Sequence, residues 1–138
     1  MTSQQDKVNS PPMRLVIVES PYAARGLEGL QANIDYARQC LAGCLRRNES
    51  PLASHLLYTQ PGILDDNIPS ERALGIAAGL AWGRIADATV VYIDRGISPG
   101  MREGIARAKT EGRPLEYRRL WNQNRRLEKE SRKTEQAV

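Results

Sequence analysis

Short apolar runs alternate along the chain with longer stretches whose apolar residues recur every three or four positions. The runs "RLVIVES" (14–20) and "ATVVYID" (88–94) are continuous and rich in β-branched residues. Such runs are typical of parallel strands that are buried on both faces. The segments "PLASHLLY" (51–58) and "PLEYRRL" (114–120) are shorter strand candidates. The pattern therefore predicts four strands.

Three helices are predicted between these strands. The apolar residues of 30–47 lie on one helical face, which indicates an amphipathic helix. A second helix, rich in Gly and Ala, is expected to begin at Pro69 and to end near residue 85, because proline suits the first helical position. The third is expected to begin at Ser98 or Gly100 and to stop at Gly112.

This order of elements predicts an α/β fold: a small, parallel-sheet, three-layer sandwich of the Rossmann or flavodoxin-like kind, with helices on both faces. A chain of 138 residues suits one domain with one core. We expect a flexible leader over residues 1–12, the domain over 13–121, and a charged tail over 122–138.

Composition narrows the possible partners and the compartment. The net charge of +4 reflects basic residues that crowd the region after Pro114. Acids alternate with these bases and no aromatic residue interrupts the tail, so nucleic-acid binding is not favoured. No apolar stretch approaches the length of a membrane span, and the polar N-terminus does not look like a secretory signal.

Cys40 and Cys44 lie four residues apart on one predicted helix face, a poor geometry for a disulfide between them. The single histidine and the two cysteines show no CxxC or HxxxH spacing and so give no metal signal. We interpret both cysteines as small buried apolar residues of a cytoplasmic protein, and we predict neither a metal nor a cofactor.

Ligands of parallel α/β sheets bind beyond the carboxyl ends of the strands. The residues that follow the predicted strands are therefore candidate ligand contacts: Ser20, Pro21, Tyr22, His55, Tyr58, Asp94 and Arg95. Each also has a structural interpretation. The first three residues can form a turn, the histidine can be a satisfied structural residue, and the aspartate can cap an Asx turn.

The segment "DRGISPGMREG" (94–104) holds further candidates. Backbone N–H groups near Ser98 and Gly100, at a helix start, suit a phosphate or another anion. Glu103, in the first turns of that helix, is either a nucleophile or general base, or a surface acid favoured by the helix dipole. Asp65 and Asp66 could bind a sugar hydroxyl or a metal, or cap a turn.

Taken together, the segments "VESPY", "NIDYAR", "ASHLLYTQ", "LDDN", "ERALG", "YIDRGISPGM" and "AKTEGRPLEYR" resemble the nucleoside 2-deoxyribosyltransferase-like superfamily, in particular its small phage and bacterial proteins. The similarity extends over about residues 13–119 in one order. The resemblance implies a small parallel α/β sandwich that assembles as a homo-oligomer, with a pocket for a nucleoside or nucleotide. In the enzymes of that superfamily, a glutamate attacks the anomeric carbon and releases the base.

The resemblance also implies roles for individual residues. Tyr22 matches the pocket tyrosine, and Asp94 matches a strand-end acid that orients the substrate. Ser98 and Gly100 match the helix start that holds a hydroxyl or a phosphate, and Met101, next to them, is a further candidate ligand contact. The chain departs from the superfamily pattern Ser-x-Gly-Met-x-x-Glu-Ile at the position of the glutamate.

Gly104 stands where that pattern has its glutamate, and Glu103 is one residue early. One residue is a rotation of about 100° on a helix, so we expect Glu103 to be a surface acid.

Three functional hypotheses follow. The first is a protein that binds a nucleotide or nucleotide-derived signal without cleaving it, such as a phage protein that sequesters an immune signal. The second is an N-glycosidase or deoxyribosyltransferase that uses Glu103, Asp94 or one of Asp65 and Asp66. The third is an oligomeric scaffold. In each case we expect the Gly/Ala-rich helix 70–85 to mediate assembly.

Overall fold

The structure is a computed structural model that describes residues 12–121. Four strands and four helices follow one another as β1 (Arg14–Glu19), α1 (Leu27–Arg46), β2 (Glu49–Leu52), α2 (Ser54–Leu57), α3 (Pro69–Trp82), β3 (Ala88–Tyr92), α4 (Pro99–Thr110) and β4 (Leu115–Arg118). The predicted tail, and all but the last residue of the predicted leader, lie outside the described residues.

The four strands form one sheet in the order β2-β1-β3-β4, and every neighbouring pair is parallel. The chain moves from β1 to one edge of the sheet, then crosses back to β3 on the other side of β1. The order of connections therefore reverses between β1 and β3, which is where ligands bind in open α/β sheets. The predicted α/β class with a parallel sheet is confirmed.

Helix α1 covers one face of the sheet. Its buried Ala37 and Cys40 pack in one cluster with Val16, Val18 and Val90 of the two central strands. Both cysteines are buried and free. The helix predicted over 30–47 is present, but its buried residues are Asn33, Tyr36, Ala37, Cys40 and Cys44, and Leu45 of the predicted apolar face is 56% exposed.

Helix α4 covers the opposite face. Val91, whose side chain points away from that of Val90, packs in a second cluster with Met101 and Ile105 of α4. Ser98 caps this helix through its hydroxyl, which accepts a hydrogen bond from the Met101 N–H, and Gly112 follows it with a φ of 67°. Both ends agree with the sequence, and the layers are helix, sheet and helix.

The predicted strand over 51–58 is wrong in its second half. Strand β2 ends at Leu52, and the helical turn α2 follows, with the Tyr58 N–H donating to the Ser54 carbonyl. Leu56 of this turn is buried whereas Leu57 is exposed. The apolar run therefore serves a short helical turn, and His55 lies in that turn instead of in a strand.

Helix α3 begins at Pro69, as predicted, but has no buried residue. It packs against α2, where a Cβ on Gly79 would be 2.7 Å from the Cβ of Ser54. Leu74 and Trp82 are 60% and 47% exposed. This apolar helix therefore leaves much of its hydrophobic surface uncovered.

A buried ion pair links the two edge strands. Arg118 at the end of β4 donates to both carboxylate oxygens of Glu49 at the start of β2, at 2.6 and 2.7 Å. Each side chain is only 5% exposed. Arg118 also donates to Glu116 at 3.1 Å, so two carboxylates balance the buried guanidinium. Arg14 donates to the same two carboxylates, to Glu49 at 3.3 Å and to Glu116 at 2.6 Å.

We expect Glu49→Gln to lower the free energy of unfolding by up to about 3–5 kcal/mol at neutral pH. The change removes the buried carboxylate that accepts two hydrogen bonds from Arg118, and leaves the buried guanidinium with Glu116 alone, at 3.1 Å. Arg118 lowers the pKa of Glu49, so the pair stabilises the fold at neutral pH and is lost as pH falls through that lowered pKa. Urea unfolding measures the change.

The control is Glu28→Gln, the same substitution at an exposed position. A loss in Glu49→Gln no larger than in this control would show that the pair does not stabilise the fold.

Candidate functional site

A cavity of about 600 Å³ lies between α3 and α4, over the face of β1 that α4 covers. Ile17 and Glu19 of β1 form part of its floor, and the segment around α2 forms one end. The volume is within the range of small-molecule sites. The cavity is thus placed beside the reversal in strand order, with walls from three helices.

Seven of the ten predicted ligand contacts line this cavity: Ser20, Tyr22, His55, Tyr58, Ser98, Gly100 and Met101. They come from the end of β1, the α2 turn and the start of α4. The fold therefore brings together three segments that are distant in sequence.

Ser20 and His55 meet at one end of the cavity. The Ser20 Oγ and the His55 Nε2 are 2.7 Å apart and share a hydrogen bond. Burial lowers the pKa of His55 to about 4, so the ring is neutral at pH 7. A neutral imidazole beside a hydroxyl can orient a ligand by hydrogen bonding.

Tyr22 stands next to this pair. Its ring meets that of His55 edge-on, with centroids 6.4 Å apart. The amide of Asn33 on α1 donates to the Tyr22 carbonyl at 2.9 Å, which fixes the backbone behind the ring. Tyr22 thus offers a positioned aromatic surface to the cavity.

Three predicted contacts do not line the cavity: Pro21, Asp94 and Arg95. Asp94 accepts hydrogen bonds from the Tyr36 hydroxyl at 2.5 Å and from the N–H groups of Leu120 and Trp121 at 2.7 and 3.1 Å. These partners hold the segment after β4 against α1. The structure therefore does not bring Asp94 to the site, either as a substrate-orienting or as a catalytic acid.

Of the two other proposed acids, Asp65 belongs to a turn and Asp66 lines the cavity. Asp65 accepts a hydrogen bond from the Asn67 N–H at 2.9 Å, which is an Asx turn. Arg95 donates to the side chain of Asn33 at 3.2 Å.

Glu103 and Gly104 present different faces of α4. Glu103 is exposed at the margin of the cavity, whereas Gly104 is partly buried and faces β1. This agrees with the rotation expected from the sequence. The helix thus presents no carboxylate of its own toward the floor of the cavity.

A carboxylate from the strand occupies that place. A Cβ built on Gly104 would be 2.5 Å from the Glu19 Oε2 and closer still to its Cδ and Oε1. Non-bonded carbon and oxygen atoms do not come this close, so a side chain at position 104 would have to displace the Glu19 carboxylate. The Glu19 carboxylate therefore lies where any side chain at position 104 would begin.

Burial raises the pKa of Glu19 from its ordinary 4.5 to about 8, and the Arg113 charge partly opposes this. Among the described residues, none donates a hydrogen bond to the Glu19 carboxylate. Arg113 instead donates to the Thr89 hydroxyl at 2.9 Å and to the Gly83 carbonyl at 2.7 Å. Glu19 is therefore predominantly a neutral carboxylic acid at pH 7.

Sequence reasoning missed Glu19 and Arg113. The alternation of side chains along a strand could have identified Glu19, because residues two apart point to the same face and Ile17 and Glu19 both face α4. Nothing in the local sequence marked Arg113.

Fold and site define a small α/β protein whose main cavity sits at the reversal of a parallel sheet. The chain belongs to the family described as Domain of unknown function (DUF7768), whose model matches residues 14–118. No curated protein matches the chain.

Within residues 12–121, no three His, Cys, Asp or Glu side chains are grouped so that they could hold a metal ion. In the same part of the chain, no helix has both the length and the apolar character needed to cross a membrane.

We expect the free energy of unfolding to fall by up to about 1.4 kcal/mol per pH unit between roughly pH 6.5 and 8. The sign follows from the raised pKa of Glu19: over this range the folded chain keeps a proton that the unfolded chain has lost. His55 acts oppositely, but below pH 6.5. Urea unfolding over this pH range measures the slope.

Glu19→Gln should flatten the slope, whereas Glu28→Gln should keep it. Equal slopes in the wild type and Glu19→Gln would mean that Glu19 does not hold a proton at neutral pH.

Proposed function

We propose that the cavity between α3 and α4 binds a nucleoside or nucleotide. The observation that carries this proposal is that Tyr22 and Ser98, which match the superfamily pattern, line one cavity together with His55, a candidate from the strand-end rule. These residues come from separate segments, so their meeting is not a consequence of sequence proximity.

The lining suits the parts of such a ligand. Tyr22 and apolar side chains such as Leu80 offer contact for a base. Arg72 and Arg107 offer positive charge for a phosphate, and hydroxyl and imidazole groups can bind a sugar. A mixed apolar and polar cavity is the usual form of a small-molecule site.

The bound ligand is either held intact or cleaved, and a different observation supports each alternative. Binding without cleavage, as in the sequestration of a nucleotide signal, is supported by the lack of a carboxylate on Gly104. Cleavage or transfer at the N-glycosidic bond is supported by a different observation, the Glu19 carboxylate that faces Gly104. The proposal places either activity in the cytoplasm, where free thiols such as Cys40 and Cys44 persist.

We also propose that a second copy of the chain covers α3. The helix has no buried residue, and its exposed apolar side chains include Leu74, Ile76 and Trp82. Such surfaces on a small domain are typical of interfaces between proteins. In the scaffold hypothesis this assembly would be the main role of the chain.

The binding proposal predicts that nucleosides or nucleoside monophosphates raise the melting temperature of the chain. Calorimetry with the best ligand should show a loss of affinity of about 10-fold or more in Tyr22→Ala, since stacking on a base is worth about 1–3 kcal/mol.

Tyr117→Ala is the matched control, because Tyr117 is 51% exposed on β4. The proposal fails if no nucleoside or nucleotide binds, or if both variants bind as the wild type does.

The assembly proposal predicts a homo-oligomer in sedimentation velocity experiments. Leu74→Glu should dissociate it, because it places a charge in an apolar interface. Leu27→Glu, at a residue that is 86% exposed on α1, should leave it intact. A wild-type chain that sediments as a monomer would refute the proposal.

A further inference from the structure

The Glu19 carboxylate lies directly against Gly104 of α4. Any residue larger than glycine at position 104 would meet the Glu19 carboxylate, with a Cβ 2.5 Å from Oε2. The two positions therefore depend on each other: a carboxylate from β1 can lie here because α4 has no side chain here. In this arrangement, the strand supplies an acid at a position where the helix has no side chain.

The surroundings of Glu19 favour an acid that reacts with a ligand over one that holds the fold together. Structural carboxylates of this protein are paired, as Glu49 is with Arg118 at 2.6 Å. Glu19 has no such partner among the described residues, and it lines the cavity. A buried carboxyl group that faces a cavity without a partner is a candidate for acid–base chemistry.

We propose that Glu19 donates the proton that releases the base from a nucleoside or nucleotide bound in the cavity. This inference rests on the binding function proposed above and adds a reaction to it. It assigns the reaction to the strand residue Glu19 and gives no catalytic role to Glu103.

The step balances with water as the second reactant. The Glu19 carboxylic acid gives its proton to the leaving nitrogen of the base while the bond between that nitrogen and the anomeric carbon breaks, and the electron pair leaves with the base. A water oxygen bonds to the anomeric carbon and passes one proton to the Glu19 carboxylate. The products are the free base and the sugar, and Glu19 is again protonated.

Burial raises the pKa of Glu19 to about 8, which keeps this acid protonated at neutral pH, as a general acid requires. Other charged or titratable groups line the same cavity: Tyr22 after β1, His55 and Tyr58 in and after α2, Asp66, Glu71 and Arg72 before and on α3, Glu103 and Arg107 on α4, and Arg113 before β4. The Arg113 charge opposes the rise in the pKa, and burial outweighs it.

The experiment measures free base by chromatography after incubation of the full chain with each nucleoside or nucleoside monophosphate that binds. We expect the wild type to release base. Glu19→Gln should release it at least about 100-fold more slowly, since a general acid contributes about 10²–10⁴-fold. Affinity should change little in Glu19→Gln, which keeps the shape of the side chain. Glu28→Gln should react as the wild type.

The pH profile supplies a readout that a structural role would not move. Base release by the wild type should decline as pH rises through about 8, because Glu19 loses its proton there. Release that increases with pH across this range would contradict a general acid.

Gly104→Ala is the second variant. The new methyl group must displace the Glu19 carboxylate, which is the flexible end of its side chain. Alanine favours a helix over glycine, so the melting temperature should not fall, whereas base release should. Gly43→Ala is the matched control: it lies inside α1, and its Cβ would make ordinary contacts of 3.5 Å.

The outcomes separate the two proposals. A ligand that binds but is never cleaved by the wild type overturns the role of Glu19 and leaves the binding function standing. Base release that survives in Glu19→Gln, or that disappears in Glu103→Gln instead, also overturns it. If no nucleoside or nucleotide binds, both proposals fail.

Discussion

The missing side chain at Gly104 is the constraint on which the candidate site depends. A helix packed over a parallel sheet normally fills the space between them with side chains. Here the helix leaves a gap at Gly104, and the Glu19 carboxylate occupies it. Because Glu19 enters from the strand below, its carboxylate lies at the floor of the cavity, where it is partly buried.

This placement has an electrostatic consequence. Two carboxylates of the same chain take opposite pKa shifts because their surroundings differ. Arg118 lowers the pKa of Glu49, whereas burial raises that of Glu19 to about 8. The first glutamate stabilises the sheet as a charged group. The second costs stability when it is charged, and a group that opposes stability in this way is expected where function requires it.

Much of the fold follows from the sequence. The continuous runs at β1 and β3 marked the central strands, and Pro69 and Ser98 marked the starts of α3 and α4. The segment 51–58 was predicted as one strand because a short run such as "HLLY" (55–58) suits a strand and a helical turn equally.

The site was only partly predictable. Residues after a strand end, such as Tyr22, follow from the rule for parallel sheets, but that rule does not say which side chains turn toward the cavity. Asp94 turned instead to Tyr36 and to two backbone N–H groups. The approach of Glu19 to Gly104 joins positions far apart in sequence, so no local pattern could show it.

The most direct test of this account is an NMR titration of glutamate side chains labelled at the carboxyl carbon, with the Glu19 resonance assigned through Glu19→Gln. The account predicts that Glu19 titrates near pH 8, far above the ordinary value of 4.5 for a glutamate. Titration of Glu19 at its ordinary value near 4.5 would mean that its carboxylate lies in solvent and not against Gly104, and the account would be wrong.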